Sequence, residues 1–348
     1  MTDLLPSRVG GRSTVKALLF VGLLMALPFV FSQHWEVNIL IFTLMYAGLA
    51  SSWNLIGGYA GYPSLGHAAF FGVGAYAMAI VLQHVDLGTT YGPFLLVPLI
   101  GLGTAIAVSP IAWLLLRTRA LVFAVLSITF MFMVQTLAFN LRGLTQGSEG
   151  ISAPVASFPA ATFERPFYFA MAALLALAVL VSWFVQSSKL GLGLNAIRDD
   201  EDRARGLGVQ TGISKLAAFN VSAGFWAAFG AVWAYYITFL YPGFAIDPLM
   251  SLGAVLMAFL GGRQSLWGPV LGAALIVPAQ QYLAFQYGAS HLYLIAYAAL
   301  FIVVIYLLPG GIVPSANFYL RRIRQRAERS AAPTQMAVDT GLTRGELG

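Results

Sequence analysis

Long apolar runs dominate the chain, and its most charged stretch, Lys189 to Lys215 (KLGLGLNAIRDDEDRARGLGVQTGISK), lies between two of them that are each long enough to cross a bilayer. Five of the 19 Lys and Arg and four of the 13 Asp and Glu fall within it. Such a segment cannot lie in hydrocarbon, where polar groups have no water to replace their partners, so it must face the aqueous phase. From Leu194 to Arg205 no residue breaks a helix, and Ile197, Glu201, Ala204 and Leu207 recur three or four apart along one side. The spacing predicts one short amphipathic helix on the inner face of the membrane.

Composition then settles the class. Apolar residues make up 59% of the chain and charged ones 9%, and the mean hydropathy is +0.80. Soluble domains carry about a quarter charged residues. The reading is an all-α integral membrane protein. The absence of cysteine excludes disulfides, thiolate nucleophiles and Zn-thiolate or iron–sulfur sites. The net charge of +6 follows from the excess of Lys and Arg that membrane proteins keep on their inner side, and implies no nucleic-acid partner.

At about 20 apolar residues per crossing, the candidate spans are 17–31, 37–56, 65–83, 94–116, 120–140, 166–186, 214–240, 249–261, 266–286 and 292–308. The first follows Arg8, Arg12 and Lys16 and resembles a secretory signal. No small-residue cleavage site follows it in Ser32-Gln33-His34-Trp35, so it reads as a membrane helix. With ten crossings and an inner N-terminus, 17 of the 19 basic residues are inside, and only Arg142 and Arg165 are outside. Both termini are then cytoplasmic. The expected organisation is a tail at 1–16, a membrane domain at 17–309 with an outer loop at 141–165 and a cytoplasmic loop at 187–213, and a basic tail at 310–348. The tail arginines from Arg321 to Arg329 are placed to hold anionic membrane lipid, at about 1 kcal/mol each.

Gly57 to Tyr76 (GGYAGYPSLGHAAFFGVGAY) is the second unusual stretch. Pro63 and the glycines before His67 predict a broken or half-helix near 57–66 that restarts at Ser64, with the serine hydroxyl as its cap. Non-helical backbone at membrane depth occurs only where it is packed in protein or lines a cavity. Asn54, Gly61, Ser64, Gly66 and His67 are therefore candidates for the solute pathway, with close helix packing as the alternative. Ser64-Leu65-Gly66 recurs as Ser251-Leu252-Gly253 in a span of opposite direction, as an inverted five-plus-five repeat requires. Gly261 to Ser265 reads as a tight cytoplasmic hairpin. Asn54, Gln135, Asn140, Asn220, Gln280 and Gln281 are candidates for bonds between helices.

No acidic residue falls in mid-span, although buried acids are the usual means of coupling an ion gradient to transport. There is no Walker A sequence, so the chain cannot itself hydrolyse ATP. Without cysteine or a histidine cluster it is not expected to be an enzyme or to hold a cofactor. Energy must come from another subunit, unless the chain is an ATP-independent channel or carrier.

Trp53-Asn54-Leu55 with Gly57 to Tyr76, the run Arg142 to Gly150 (RGLTQGSEG), the loop Leu190 to Val209 and Gly261 to Gly272 together resemble the LivM-type permeases of branched-chain amino-acid ABC importers. The likeness spans most of residues 35–310, with its motifs in the family's order. It implies a bacterial inner-membrane permease that pairs with a second, LivH-like permease subunit, two cytoplasmic ATPase subunits and an extracytoplasmic solute-binding protein. It also implies that Ala196, Ile197, Arg198, Asp199, Glu201, Ala204, Leu207 and Gly208 belong to a coupling helix docked on an ATPase subunit. The implied solute is a branched-chain or related hydrophobic amino acid, with urea or a short amide as the alternative. Three positions depart from the family pattern: Leu192 follows Gly191 where arginine is expected, Gln146 stands where a second glycine is usual, and Arg263-Gln264 replaces smaller residues.

Overall fold

The computed structural model describes residues 33–287 continuously and a few single positions on either side. The crossings expected at 17–31 and 292–308, both tails and most of the basic residues beyond Arg263 lie outside the described residues. Between them the chain is helical: α1 His34–Asn54, α2 Ala68–His84, α3 Leu96–Leu115, α4 Ala120–Asn140, the single turn α5 Arg142–Thr145, α6 Glu164–Ser187, α7 Lys189–Asp199, α8 Glu201–Gly206, α9 Thr211–Ile237, the single turn α10 Pro242–Ala245, α11 Pro248–Gly261 and α12 Gly268–Tyr287. Eight of the ten expected crossings therefore correspond to helices, with ends within a few residues of those predicted. Among the described residues, six helical stretches, counting the short turns that run into them, are long and apolar enough to span a membrane.

In lipid, burying apolar surface gives little drive for helix to meet helix, so close packing and hydrogen bonds must do it. Helix α9 is the centre of this packing. Its aromatics Trp226, Phe229, Trp233 and Tyr235 are buried, and the Trp226 indole N–H donates to the Leu49 carbonyl of α1 at 3.2 Å. Small residues let backbones touch. A Cβ on Gly74 of α2 would overlap the Ala227 carbonyl of α9, and one on Gly230 of α9 would overlap the Phe71 carbonyl of α2. Side-chain amides bridge other pairs: Gln135 of α4 donates to the Ile246 carbonyl at 2.7 Å, and Asn220 of α9 to the Ser109 hydroxyl of α3 at 2.7 Å. Asn140 bonds only the Thr136 carbonyl of its own helix.

Burial is highest in α1, whose stretch is 78% buried in its most apolar window, and in α9, and falls outward from these two. The most apolar window is 72% buried in α9 but 28% in the stretch containing α3 and 17% in α4. Leu95, Leu99, Leu102, Ile106, Leu121 and Val125 stand exposed on those two helices, as lipid-facing side chains do. Helix α11 has 14 residues, about 21 Å, and cannot cross the hydrocarbon alone. It begins where Pro248 follows Asp247, whose carboxylate accepts the Leu249 N–H at 2.9 Å.

The loop at 141–165 is folded onto one end of the bundle. Strand β1 Ile151–Ser152 pairs antiparallel with β2 Phe239–Leu240 beyond α9, and Ala153 N–H donates to the Thr238 carbonyl at 2.7 Å. Ser157 N–H donates to the Thr89 carbonyl at 2.7 Å. At the same end His34 of α1 pairs with Glu164 of α6 at 2.8 Å. Gln146 has φ 59°, a left-handed turn that costs a side-chain-bearing residue about 1–2 kcal/mol. The loop therefore keeps a glycine-like turn without the glycine.

Gly74→Val or Gly230→Val is expected to force α2 and α9 apart and to lower stability by about 3 kcal/mol or more. Gly103→Ala, inside α3 where nothing lies within 4 Å of the added carbon, is expected to leave the packing intact and to raise stability slightly, by up to about 1 kcal/mol. Thermal unfolding of the detergent-purified chain checks both.

Candidate functional site

The site is built where the break after α1 meets the polar helices α7 and α8. Helix α1 ends at Asn54, runs on through a π-helical turn Leu55–Tyr59, and loses helical form until Ala68. The predicted break is present, but the helix does not restart at Ser64. It restarts at Ala68 with His67 at its cap, and hydroxyls from other helices, not Ser64, take two amides of the break and the helix start. Leu65 N–H donates to Ser127 Oγ of α4 at 3.0 Å, and Ala68 N–H to Ser251 Oγ of α11 at 2.8 Å. The Trp53 indole N–H donates to the Ser64 carbonyl at 2.7 Å. Ser64 Oγ is buried with no hydrogen-bond partner among the described residues. The two Ser-Leu-Gly copies thus lie near each other, with unlike bonds.

The five pathway candidates are enclosed by this packing. Asn54 clamps the hairpin before α12: its Nδ2 donates to the Ser265 carbonyl at 3.2 Å and its Oδ1 accepts from Gln264 N–H at 3.3 Å. Gln264 holds φ 75°, so the hairpin also keeps a left-handed turn without glycine. Gly61, at φ 71°, lies against α7, where an added Cβ would stand 2.7 Å from Arg198 Cγ. Gly66 leaves no room for a Cβ beside the Ser127 carbonyl. His67 is wholly buried, with Nε2 2.9 Å from Ser222 Oγ of α9 and edge contacts to Phe70, Phe219 and Trp226.

The polar stretch is two helices rather than the one predicted. Ser188 is extended and its hydroxyl accepts Gly191 N–H at 3.4 Å, which starts α7 directly after α6. Asp200 breaks the run at φ −163°, and its carboxylate accepts the Asp202 and Arg203 amides at 3.1 and 3.0 Å, which starts α8. An aspartate that caps is a better use of its side chain than one in a helix interior. The expected apolar ridge is divided by this bend. Ile197 and Ala204 are buried against the bundle, Ala196, Arg198 and Glu201 are half-buried, and Asp199, Leu207 and Gly208 are exposed. Leu207 is 84% exposed and Leu192, at one of the departures from the family pattern, is 69% exposed.

Lys215 was not singled out by the sequence reading, which took it for the end of a polar loop. It lies in the second turn of α9 and is 3% exposed. Its ammonium donates to the Leu116 carbonyl beyond α3 at 2.9 Å, to Glu201 Oε1 of α8 at 2.7 Å, and to the Tyr62 hydroxyl in the break at 3.0 Å. It also stands 4.3 Å from the Tyr62 ring centroid. The Tyr62 hydroxyl in turn donates to Glu201 Oε2. Burial raises the Glu201 pKa, but hydrogen bonds from Lys215 and Tyr62 and the charges of Lys215 and Arg205 outweigh it, and hold the carboxyl below its ordinary value. The only sequence signal was a lysine among apolar residues at a helix start.

A family profile described as "Branched-chain amino acid transport system / permease component" matches residues 36–307. The chain is 28% identical over 302 residues to the high-affinity branched-chain amino acid transport system permease protein LivM of Salmonella typhimurium, covering 77% of this chain and 69% of the relative. The Escherichia coli LivM protein gives the same figures. The autoinducer 2 import system permease protein LsrC of Salmonella paratyphi B is 29% identical over 141 residues, covering 38% of this chain and 37% of the relative. No solved structure matches.

Since its folded pKa is depressed, Glu201 stabilises the protein fully above pH 4.5, the ordinary value, and loses that contribution as the pH falls through the lower folded value. Glu201→Gln is expected to lower the unfolding midpoint at neutral pH, because it leaves the buried Lys215 charge without its counterion. The gap between variant and wild type should narrow below pH 4.5; a constant gap down to full protonation would show that the charge of Glu201 is immaterial.

Proposed function

As this chain belongs to the branched-chain amino acid transport permease family, and its polar helices α7 and α8 are anchored to the bundle through Ile197, Ala204 and Glu201, we propose that it is one half of the membrane pathway of an ABC importer. Two ATPase subunits drive the importer from the cytoplasm, a second permease subunit of LivH type completes the pathway, and a solute-binding protein delivers solute from outside. The solute class is a branched-chain or related hydrophobic amino acid, which rests on the likeness to the LivM proteins. The excess of basic residues expected on one side supports a cytoplasmic side for α7, α8 and both termini and an outer side for the loop at 141–165.

One observation carries the coupling role. Helices α7 and α8 bury Ile197 and Ala204 in their own subunit, and so are fixed to it, while Leu192 and Leu207 face outward uncovered beside Asp199, Asp202, Arg203 and Arg205. Apolar anchors within a charged rim are the surface that docking of a helix into a groove requires. Of the residues expected to couple, Asp199, Leu207 and Gly208 are placed to touch an ATPase, and Ile197, Ala204 and Glu201 to hold the helices that carry them. ATP hydrolysis then belongs to the partners.

Leu207→Asp and Leu192→Asp, at exposed positions, are expected to leave the chain folded and to reduce co-purification of the ATPase subunits by about tenfold each, the loss of roughly one apolar anchor. Undiminished co-purification in the double variant would place the ATPase contact elsewhere. ATP-independent accumulation of solute by the lone chain in liposomes would end the importer reading.

A further inference from the structure

The break at residues 60–67 is held at both ends by different parts of the molecule. Towards α7 and α8, Gly61 rests on Arg198, and Tyr62 joins Lys215 and Glu201. Towards the bundle, Leu65, His67 and Ala68 bond Ser127, Ser222 and Ser251 on α4, α9 and α11. Only a few residues separate the two sets of bonds. Backbone whose polar groups are tied at each step is stiff, because loosening any one bond strands a buried donor.

Lys215 is the knot of the first set. An ammonium has three protons, and here each has its own acceptor on a different segment: the break, the end of α3, and α8. The residue is thus fully committed and nearly without solvent. Arg205, which touches Glu201 at 3.4 Å and is largely exposed, cannot replace it from outside. An aliphatic side chain at 215 would fill the space but would leave Tyr62 bonded only to Glu201, and Glu201 only to Tyr62 and to the exposed Arg205 of its own helix. The link from α8 to α9 and α3 would go, while the outward face at Leu192 and Leu207 would stay.

We propose that Lys215, with Tyr62 and Glu201, is the positioning element that passes movement of α7 and α8 to the break, and through its serine bonds to α4, α9 and α11. This rests on the reading of α7 and α8 as the ATPase-driven helices. Lys215 touches neither nucleotide nor solute; it fixes how far the break follows the polar helices. Allosteric coupling of this kind is carried by an element with two packed arrangements, and the break is bonded on one side to the cluster at α8 and on the other to α4, α9 and α11.

The test uses the whole transporter, with both permeases, the ATPase subunits and the binding protein in liposomes, and reads solute moved per ATP hydrolysed. Lys215→Met keeps the length of the side chain without its charge. Tyr62→Phe removes only a hydroxyl. Both are expected to assemble with the ATPase subunits and hydrolyse ATP as the wild type does, with solute moved per ATP reduced about tenfold or more, within the usual range of coupling between sites. If Lys215→Met fails to fold, Tyr62→Phe decides. An unchanged ratio in Tyr62→Phe, or a parallel loss of assembly, hydrolysis and transport, would make the cluster merely structural and overturn the proposal. If the wild-type complex itself moves solute without ATP, the importer reading falls and the proposal with it. That outcome is distinct, because it appears before any substitution is made.

Discussion

Residues 60–67 leave the helical hydrogen-bond ladder inside a bundle that offers no water in exchange, and the fold around them is arranged to meet that demand. An unpaired amide in such surroundings costs several kcal/mol. Serines on α4 and α11 accept the amides, Trp53 serves the Ser64 carbonyl, and Ser222 holds the ring of His67. Helices far apart in sequence must therefore keep fixed positions about one short segment. The close contacts of α2 with α9, which Gly74 and Gly230 permit, set those positions.

The same demand explains Lys215. A lysine so little exposed persists because its three protons are all accepted, one by a carboxylate that is itself bonded to Tyr62. Its position at the start of α9 places a charge where the bundle gives way to the polar helices. Removing one partner would strand the rest, so the cluster is either whole or costly. The bundle thus changes from apolar packing to ionic bonding over a few residues, and α7 and α8 are joined to it there.

The separation of the inward from the outward face of α7 and α8 has a functional consequence. Family likeness assigned one set of residues to ATPase contact, yet Ile197 and Ala204 are spent on the subunit's own core, and Leu192, where the family pattern leads one to expect arginine, is open. The surface left open for the proposed docking is therefore smaller than the sequence suggested. The two left-handed residues, Gln146 and Gln264, make a similar point: each sits where a smaller residue was expected, and the backbone keeps the turn that a glycine would adopt without strain.

Hydropathy and charge alone determined the helices and their approximate ends at eight of ten expected spans, and Pro63 with the glycines before His67 marked the break. These are properties of single segments, fixed by the need to bury backbone in hydrocarbon and to keep charge out of it. Sequence did not reveal that Asp200 would split the polar helix, that the break would be capped by Ser127 and Ser251 instead of Ser64, or that Lys215 would be buried. The last two depend on an acceptor or donor brought from elsewhere, 62 and 183 residues away for the two serines. Spacing along one segment carries no trace of such a partner, so only the tertiary structure could decide which polar groups met.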